Sequence, residues 1–274
     1  TAARHMRTFL RRALGREPRA RDRMRLIMSF ASTVHDRLYW LSGRTQLFDV
    51  TVQGEDMIRE VVAGGGAFLM GAHMGSFEVL RSIGRRKSGF EVAMAMYPDN
   101  ARKVNAIMAA AALEDPPEII AVGRLDSMLQ IRARLEQGML VGVLADRLFG
   151  DEAAVTMNFL GAPARLPVNP MRLAATLRRR VVFMLGLYRG GNRYDLVFEP
   201  LADFTTTAPA ERAAAIEAAV RRYGVLREHY CRSDPYNWFN FFDGGGGRGA
   251  LPARAPGCSR CSWRRLALWP AQVR

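Results

Sequence analysis

At 274 residues, 49% hydrophobic and 24% charged, the chain is long enough to bury a sizeable core in one domain and too apolar to be disordered throughout. Its formal charge of +14 lies at the ends: residues 1–25 hold nine Arg against Glu17 and Asp22, residues 244–274 hold six Arg and no acid, and the remainder carries only +1. A uniformly basic nucleic-acid-binding body is therefore disfavoured, whereas basic ends can attract nucleic acid, anionic lipid or an acidic partner, or can be plain solvated tails.

Residues 1–25 read as a basic N-terminal segment. The helix predicted over 26–42 carries Leu26, Phe30, Val34, Leu38 and Leu41 at helical spacing, which suits either a membrane surface or, as the favoured reading, ordinary packing with one exposed face. A strand follows over Phe48–Val52, then a helix over Glu55–Ala63 stopped by Gly64, Gly65 and Gly66. Those glycines precede a strand and open no helix, so they are not a dinucleotide fingerprint.

Strand 67–72, a turn at His73 and a helix from about Ser76 to Gly84 come next. Strand 90–96, helix 101–113, strand 118–122, a helix capped by Asp126 or Ser127 and ended by Gly138, and strand 139–145 continue the alternation. Further strands are expected at 155–160, 181–188 and 194–198, and a last helix over 209–230. Strands alternating with helices at this spacing indicate an α/β fold, a single domain over 26–243 with a mixed central sheet flanked by helices. Residues 244–274 mix Gly, Pro and Arg without periodicity and read as a disordered extension.

Cys231, Cys258 and Cys261 form no disulfide framework. The Cys258-x-x-Cys261 pair lacks a second pair of ligands and a surrounding βαβ unit, so neither a metal site nor a redox pair is expected. No run approaches 18 apolar residues and no signal peptide is evident, so no span is expected in the chain as given.

The chemistry concentrates in Ala67–Glu78, AFLMGAHMGSFE. A strand delivers His73 to a Gly-rich turn, Ser76 can cap the next helix, and Glu78 lies in its first turn. Glu78 is then expected to accept from one imidazole nitrogen while the other faces substrate. A hydrogen-bonded core histidine and a favourable helix-terminal charge are the structural alternatives, but they leave the glycines unexplained. His229 and Asp234 share the spacing without a preceding apolar strand. With G-x-S-x-G absent and Ser76 better placed as a cap, His73 is expected to deprotonate an incoming hydroxyl directly, with Glu78 fixing its tautomer: acyl transfer in one displacement from an activated donor such as a thioester.

GAHMGSFE resembles the His-x4-acidic block of bacterial lipid A biosynthesis acyltransferases, within the lysophospholipid and glycerolipid acyltransferase superfamily. LVGVLADR (Leu140–Arg147), VTMNFLGAPARLPVNPMRLAA (Val155–Ala175) and DPYNWFNFFD (Asp234–Asp243) resemble three further blocks in the family's order, over about residues 4–243. The resemblance implies His73 and Glu78 as the catalytic dyad, with Asp146 and Arg147 facing the same cleft. It leaves Arg147 to stabilise an oxyanion, hold a phosphate or serve as a structural ion pair, with Arg124 a weaker candidate for the same duty. Gly75 and Ser76 belong to the site turn; Phe159, Leu160 and Gly161 line an acyl groove or simply the core; Asn237, Trp238 and Phe239 close the fold beside the site.

By the same resemblance, an acyl thioester of acyl carrier protein or CoA is a co-substrate and no resident cofactor or metal is expected. The acceptor is a lipid or glycolipid hydroxyl, and no nucleic acid is expected as a partner. The place of work is the cytoplasmic face of the bacterial inner membrane, with attachment peripheral in the chain as given because the family's usual apolar anchor is not in it. A thioesterase or esterase using the same pocket, and a non-catalytic peripheral membrane protein, are the competing functions.

Overall fold

The alternation of apolar runs and helices builds a layered structure. A computed structural model of the protein describes residues 2–83, 91–98, 102, 118–123, 125–148 and 151–240. Helices α1 (Ala2–Leu14) and α2 (Ala20–Leu41) precede β1 (Asp49–Gln53), α3 (Glu55–Ala63), β2 (Phe68–Gly71) and α4 (Glu78–Ile83). Then come β3 (Val92–Met96), β4 (Glu118–Ala121), α5 (Leu125–Glu136), β5 (Leu140–Leu144), β6 (Ala154–Phe159) and β7 (Ala162–Pro167). The chain continues through α6 (Asn169–Thr176), β8 (Arg180–Gly190), β9 (Arg193–Asp203) and α7 (Arg212–Ser233). Apart from Arg102, the helix predicted over 101–113 lies outside the described residues, as does the extension after 243.

Among the described residues, seven strands form one mixed sheet in the order β1-β9-β8-β2-β5-β3-β4, with β8 and β9 the antiparallel pair and the other pairings parallel. The expected α/β fold with a mixed central sheet is thus what forms. β2 is buried along its whole length, because helices cover both faces of a parallel sheet and an uninterrupted apolar run suits that burial. Phe68 and Met70 face the cluster that includes Leu10, Phe183, Tyr223 and Trp238. Ala67 and Leu69 face the opposite cluster with Ile58, Trp40 and Leu80.

α1 is part of this core: Met6, Phe9, Leu10 and Ala13 are buried, and Phe9 stacks on Trp238 with ring centroids 5.4 Å apart. The basic segment is therefore folded onto the body, and the change of charge at residue 25 falls inside α2. β6 and β7 form a separate hairpin whose two-residue turn, Leu160-Gly161, has both residues at positive φ, as the twist of such hairpins requires. The Glu228 carboxylate accepts the Leu160 N–H at 3.0 Å, which offsets part of the cost of placing a leucine there. The FLG-x-P block is thus a hairpin turn.

Candidate functional site

Strand register assembles the site. β2 and β5 are parallel neighbours with Gly71 opposite Leu144, so two residues further along each chain places His73 beside Asp146. Ligands and chemistry collect at the carboxyl ends of adjacent parallel strands for this reason. His73 Nδ1 lies 2.7 Å from Asp146 Oδ1, and the His73 backbone N–H donates to Oδ2 at 3.2 Å. One carboxylate therefore fixes both the ring and the backbone of the turn.

The Asp146 side chain has no exposed surface, whereas that of His73 retains 12%. Burial pushes the Asp146 carboxyl up, but His73, followed by Arg147 and Arg227, outweighs it and brings the group down to about 2. An ionised carboxylate on Nδ1 makes that nitrogen the protonated one and leaves Nε2 as the basic atom. Among the described residues Nε2 has no hydrogen-bond partner.

The turn carrying His73 is held from two directions. Gly75 N–H donates to the Asn237 carbonyl at 2.8 Å, Ser76 N–H to the Gly186 carbonyl at 2.7 Å, and Phe239 N–H to the His73 carbonyl at 2.9 Å. Asn237 also bridges β8 through its side chain, accepting the Tyr188 N–H at 2.8 Å and donating to the Tyr188 carbonyl at 3.1 Å. Gly75 has φ +66°, and a Cβ there would collide with the Gly186 carbonyl oxygen. The glycine is required both for its left-handed backbone and for this close approach.

Glu78 sits differently from its expected place on the imidazole. Its carboxylate lies 2.6 Å from Arg37 Nε of α2 and accepts the Ser76 hydroxyl at 3.0 Å, and no hydrogen bond joins it to His73 among the described residues. Ser76, expected as a cap, precedes the first helical residue by two positions. The look-alike pair remains separate: His229 packs edge-on against Tyr230, and Asp234 pairs with Arg189.

Arg147 follows Asp146 and is half-buried, its pKa lowered by burial against the opposing pull of Asp146. Phe159 lies under Arg227, whose guanidinium carbon is 4.0 Å from the ring centroid. Arg124 lies outside the described residues. A surface depression of about 390 Å³ against the β6–β7 hairpin is lined by Thr156, Met157, Asn158, Gly161, Ala162 and Pro163; neither His73 nor Phe159 borders it.

Sequence reasoning missed three contributors. Arg37 holds Glu78; Tyr223 donates to the Gly71 carbonyl at 2.8 Å behind the turn; Arg227, 4% exposed, adds positive charge near Asp146. All three come from helices distant in the chain, and only a helical-face analysis of α7, which places Tyr223 and Arg227 one turn apart, offered a signal. Among the described residues no cluster of three His, Cys, Asp or Glu side chains is placed to hold a metal ion, and no helix is long and apolar enough to cross a membrane.

A search of curated proteins gives no match to this chain. The family model for bacterial lipid A biosynthesis acyltransferases matches residues 31–241, a span that covers the sheet, His73, Glu78, Asp146 and the segment clamping the turn. The chain therefore belongs to the bacterial lipid A biosynthesis acyltransferase family, and is an acyltransferase.

Proposed function

We propose that the protein moves a fatty acyl chain from an acyl-carrier-protein or CoA thioester to a hydroxyl of a lipid or glycolipid, at the cytoplasmic face of the bacterial inner membrane, with His73 as general base. The observation that carries the reading is the pairing of His73 Nδ1 with the buried Asp146 carboxylate at 2.7 Å, which leaves Nε2 to take the acceptor proton. As that proton moves to Nε2, the acceptor oxygen attacks the thioester carbonyl. The tetrahedral intermediate expels the thiolate, which takes the proton back, and Asp146 stabilises the imidazolium between these steps.

Direct displacement is favoured over an acyl-enzyme. The Ser76 hydroxyl donates to Glu78 at 3.0 Å, and Cys231 is fully buried with its thiol pushed up by burial, the reverse of an activated nucleophile. Arg147 supplies positive charge beside Asp146 for the anionic oxygen of the intermediate or a donor phosphate. Glu78 acts through Arg37 and Ser76, keeping the turn and α2 in register.

The test supplies purified protein with acyl-carrier-protein thioester and a membrane lipid extract, and follows acylated lipid. His73→Ala is expected to abolish transfer with its circular dichroism unchanged; retained transfer overturns the assignment. Free fatty acid released at the same rate without acceptor would replace transfer with hydrolysis.

A further inference from the structure

α1 and α2 are both rich in arginine, yet they bury opposite kinds of face. α1 buries Met6, Phe9, Leu10 and Ala13 and exposes Arg4, Arg7, Arg11 and Arg12, the arrangement water imposes on an amphipathic helix. α2 inverts it. Met24, Ile27, Met28 and Leu38 are 58%, 44%, 56% and 52% exposed, and with the exposed Ala31 and His35 they fall within about 100° of arc. The opposite face buries Asp22, Ser29, Thr33 and Asp36 beside Leu26 and Trp40.

The buried polar groups are used. Asp22 accepts from Arg16, the Arg19 backbone and the Tyr236 hydroxyl, and Asp36 accepts the Tyr194 hydroxyl at 2.7 Å. The inversion is therefore built into the packing, and the outward stripe is left facing solvent with nothing of the described chain upon it. A contiguous apolar stripe of this kind marks a surface that something covers.

The charge around the stripe selects the cover. Arg21, Arg23 and Arg25 are exposed near its N-terminal end, Arg25 stacked over the Tyr236 ring. A second copy of the chain, or its own basic segment after residue 243, brings more positive charge to this face, whereas anionic headgroups neutralise it while acyl chains receive the methionines and isoleucine.

We propose that the outward face of α2 seats the enzyme on an anionic bilayer, with Met24, Ile27, Met28 and Leu38 inserted at the interface and Arg21, Arg23 and Arg25 among the headgroups. This deepens the acyl-transfer reading, on which it rests, by naming the surface that presents the acceptor. The helix is tied to the site: Arg37 holds Glu78, and Phe30 packs on Phe239 at 5.4 Å between ring centroids, next to the backbone that clamps His73.

The test uses the full chain in sedimentation with vesicles of phosphatidylethanolamine and phosphatidylglycerol, against vesicles of phosphatidylcholine alone, and in acyl transfer to a detergent-dispersed lipid extract. The wild type is expected to bind the anionic vesicles. The triple variant Met24→Gln, Ile27→Gln, Met28→Gln is expected to lose about tenfold or more in partitioning while keeping its circular dichroism and detergent-phase transfer. Each of Arg21→Gln, Arg23→Gln and Arg25→Gln is expected to cost roughly fivefold at low salt, fading as salt rises. Undiminished binding by the triple variant overturns the proposal even if transfer proceeds. So does a wild-type dimer in lipid-free buffer that the triple variant dissolves, which assigns the stripe to a second copy. Vesicle binding that behaves as expected with no transfer by either protein leaves the docking face standing and removes the catalytic reading instead.

Discussion

Asp146 and Glu78, the two acids that the sequence associates with His73, are held by different means. Asp146 arrives from the end of a neighbouring parallel strand, is fully buried, and spends both oxygens on His73. Glu78 arrives five residues after His73, keeps 16% of its side chain exposed, and spends its oxygens on Arg37 and Ser76. Proximity along the chain thus attaches an acid to the turn, while sheet register attaches one to the ring. The inner acid orients the imidazole and the backbone that carries it; the outer one links the turn to α2.

The largest effect that follows is on turnover. Asp146→Asn is expected to lower kcat about 10³-fold, since a neutral amide neither fixes the tautomer nor stabilises the imidazolium; an effect under about tenfold in the acyl-transfer assay would erase the distinction between the two acids. Glu78→Gln is expected to cost less, about 10²-fold, through misplacement of the turn. Arg37→Met is expected to reproduce that loss, and the double variant to be no worse than Glu78→Gln, because the two side chains act as one unit. Additive losses in that cycle would detach Glu78 from α2.

The third expectation concerns acid. The Asp146 carboxyl titrates in the folded protein at about 2, below its ordinary value near 3.9. A depressed folded value stabilises the protein above about pH 4, and the stabilisation, about 2 kcal/mol, is lost as pH falls through about 2. Denaturant unfolding between about pH 5 and about pH 2 should show this loss in the wild type and in Glu78→Gln but not in Asp146→Asn. The smallest effect belongs to Arg227→Met, which keeps packing on Phe159 and removes the weakest of the charges acting on Asp146. It should move the acid transition slightly upward, because one of the charges that keep the carboxylate ionised is gone.

The layered fold was legible because buried parallel strands read as short apolar runs and their helices end at glycines such as Gly64 and Gly138. β7 escaped notice because Pro163 and Pro167 interrupt its pattern; a two-strand hairpin tolerates them where a central strand would not. α6 is short and begins with Asn169-Pro170, which reads as a loop. The turn at His73 was legible from Gly71 and Gly75. The partner on its ring was not, because Asp146 is 73 residues away and only the Gly71–Leu144 register connects them. In α2, periodicity located a stripe through Leu26 and Leu38, yet the folded helix buries the first and exposes the second; spacing describes a helix but not which side turns inward.

The bonds from Asn237 and Phe239 to the turn around His73 also impose an order of events on synthesis. A ribosome releases the strand before His73 long before the segment that clamps it, and domains acquire their contacts as chain emerges. The sheet strands around β2 can pair while the histidine loop still lacks the Gly75–Asn237 and His73–Phe239 bonds. A nascent chain therefore carries the His73 imidazole on an unfinished loop until the segment from Asn237 to Phe239 has left the exit tunnel.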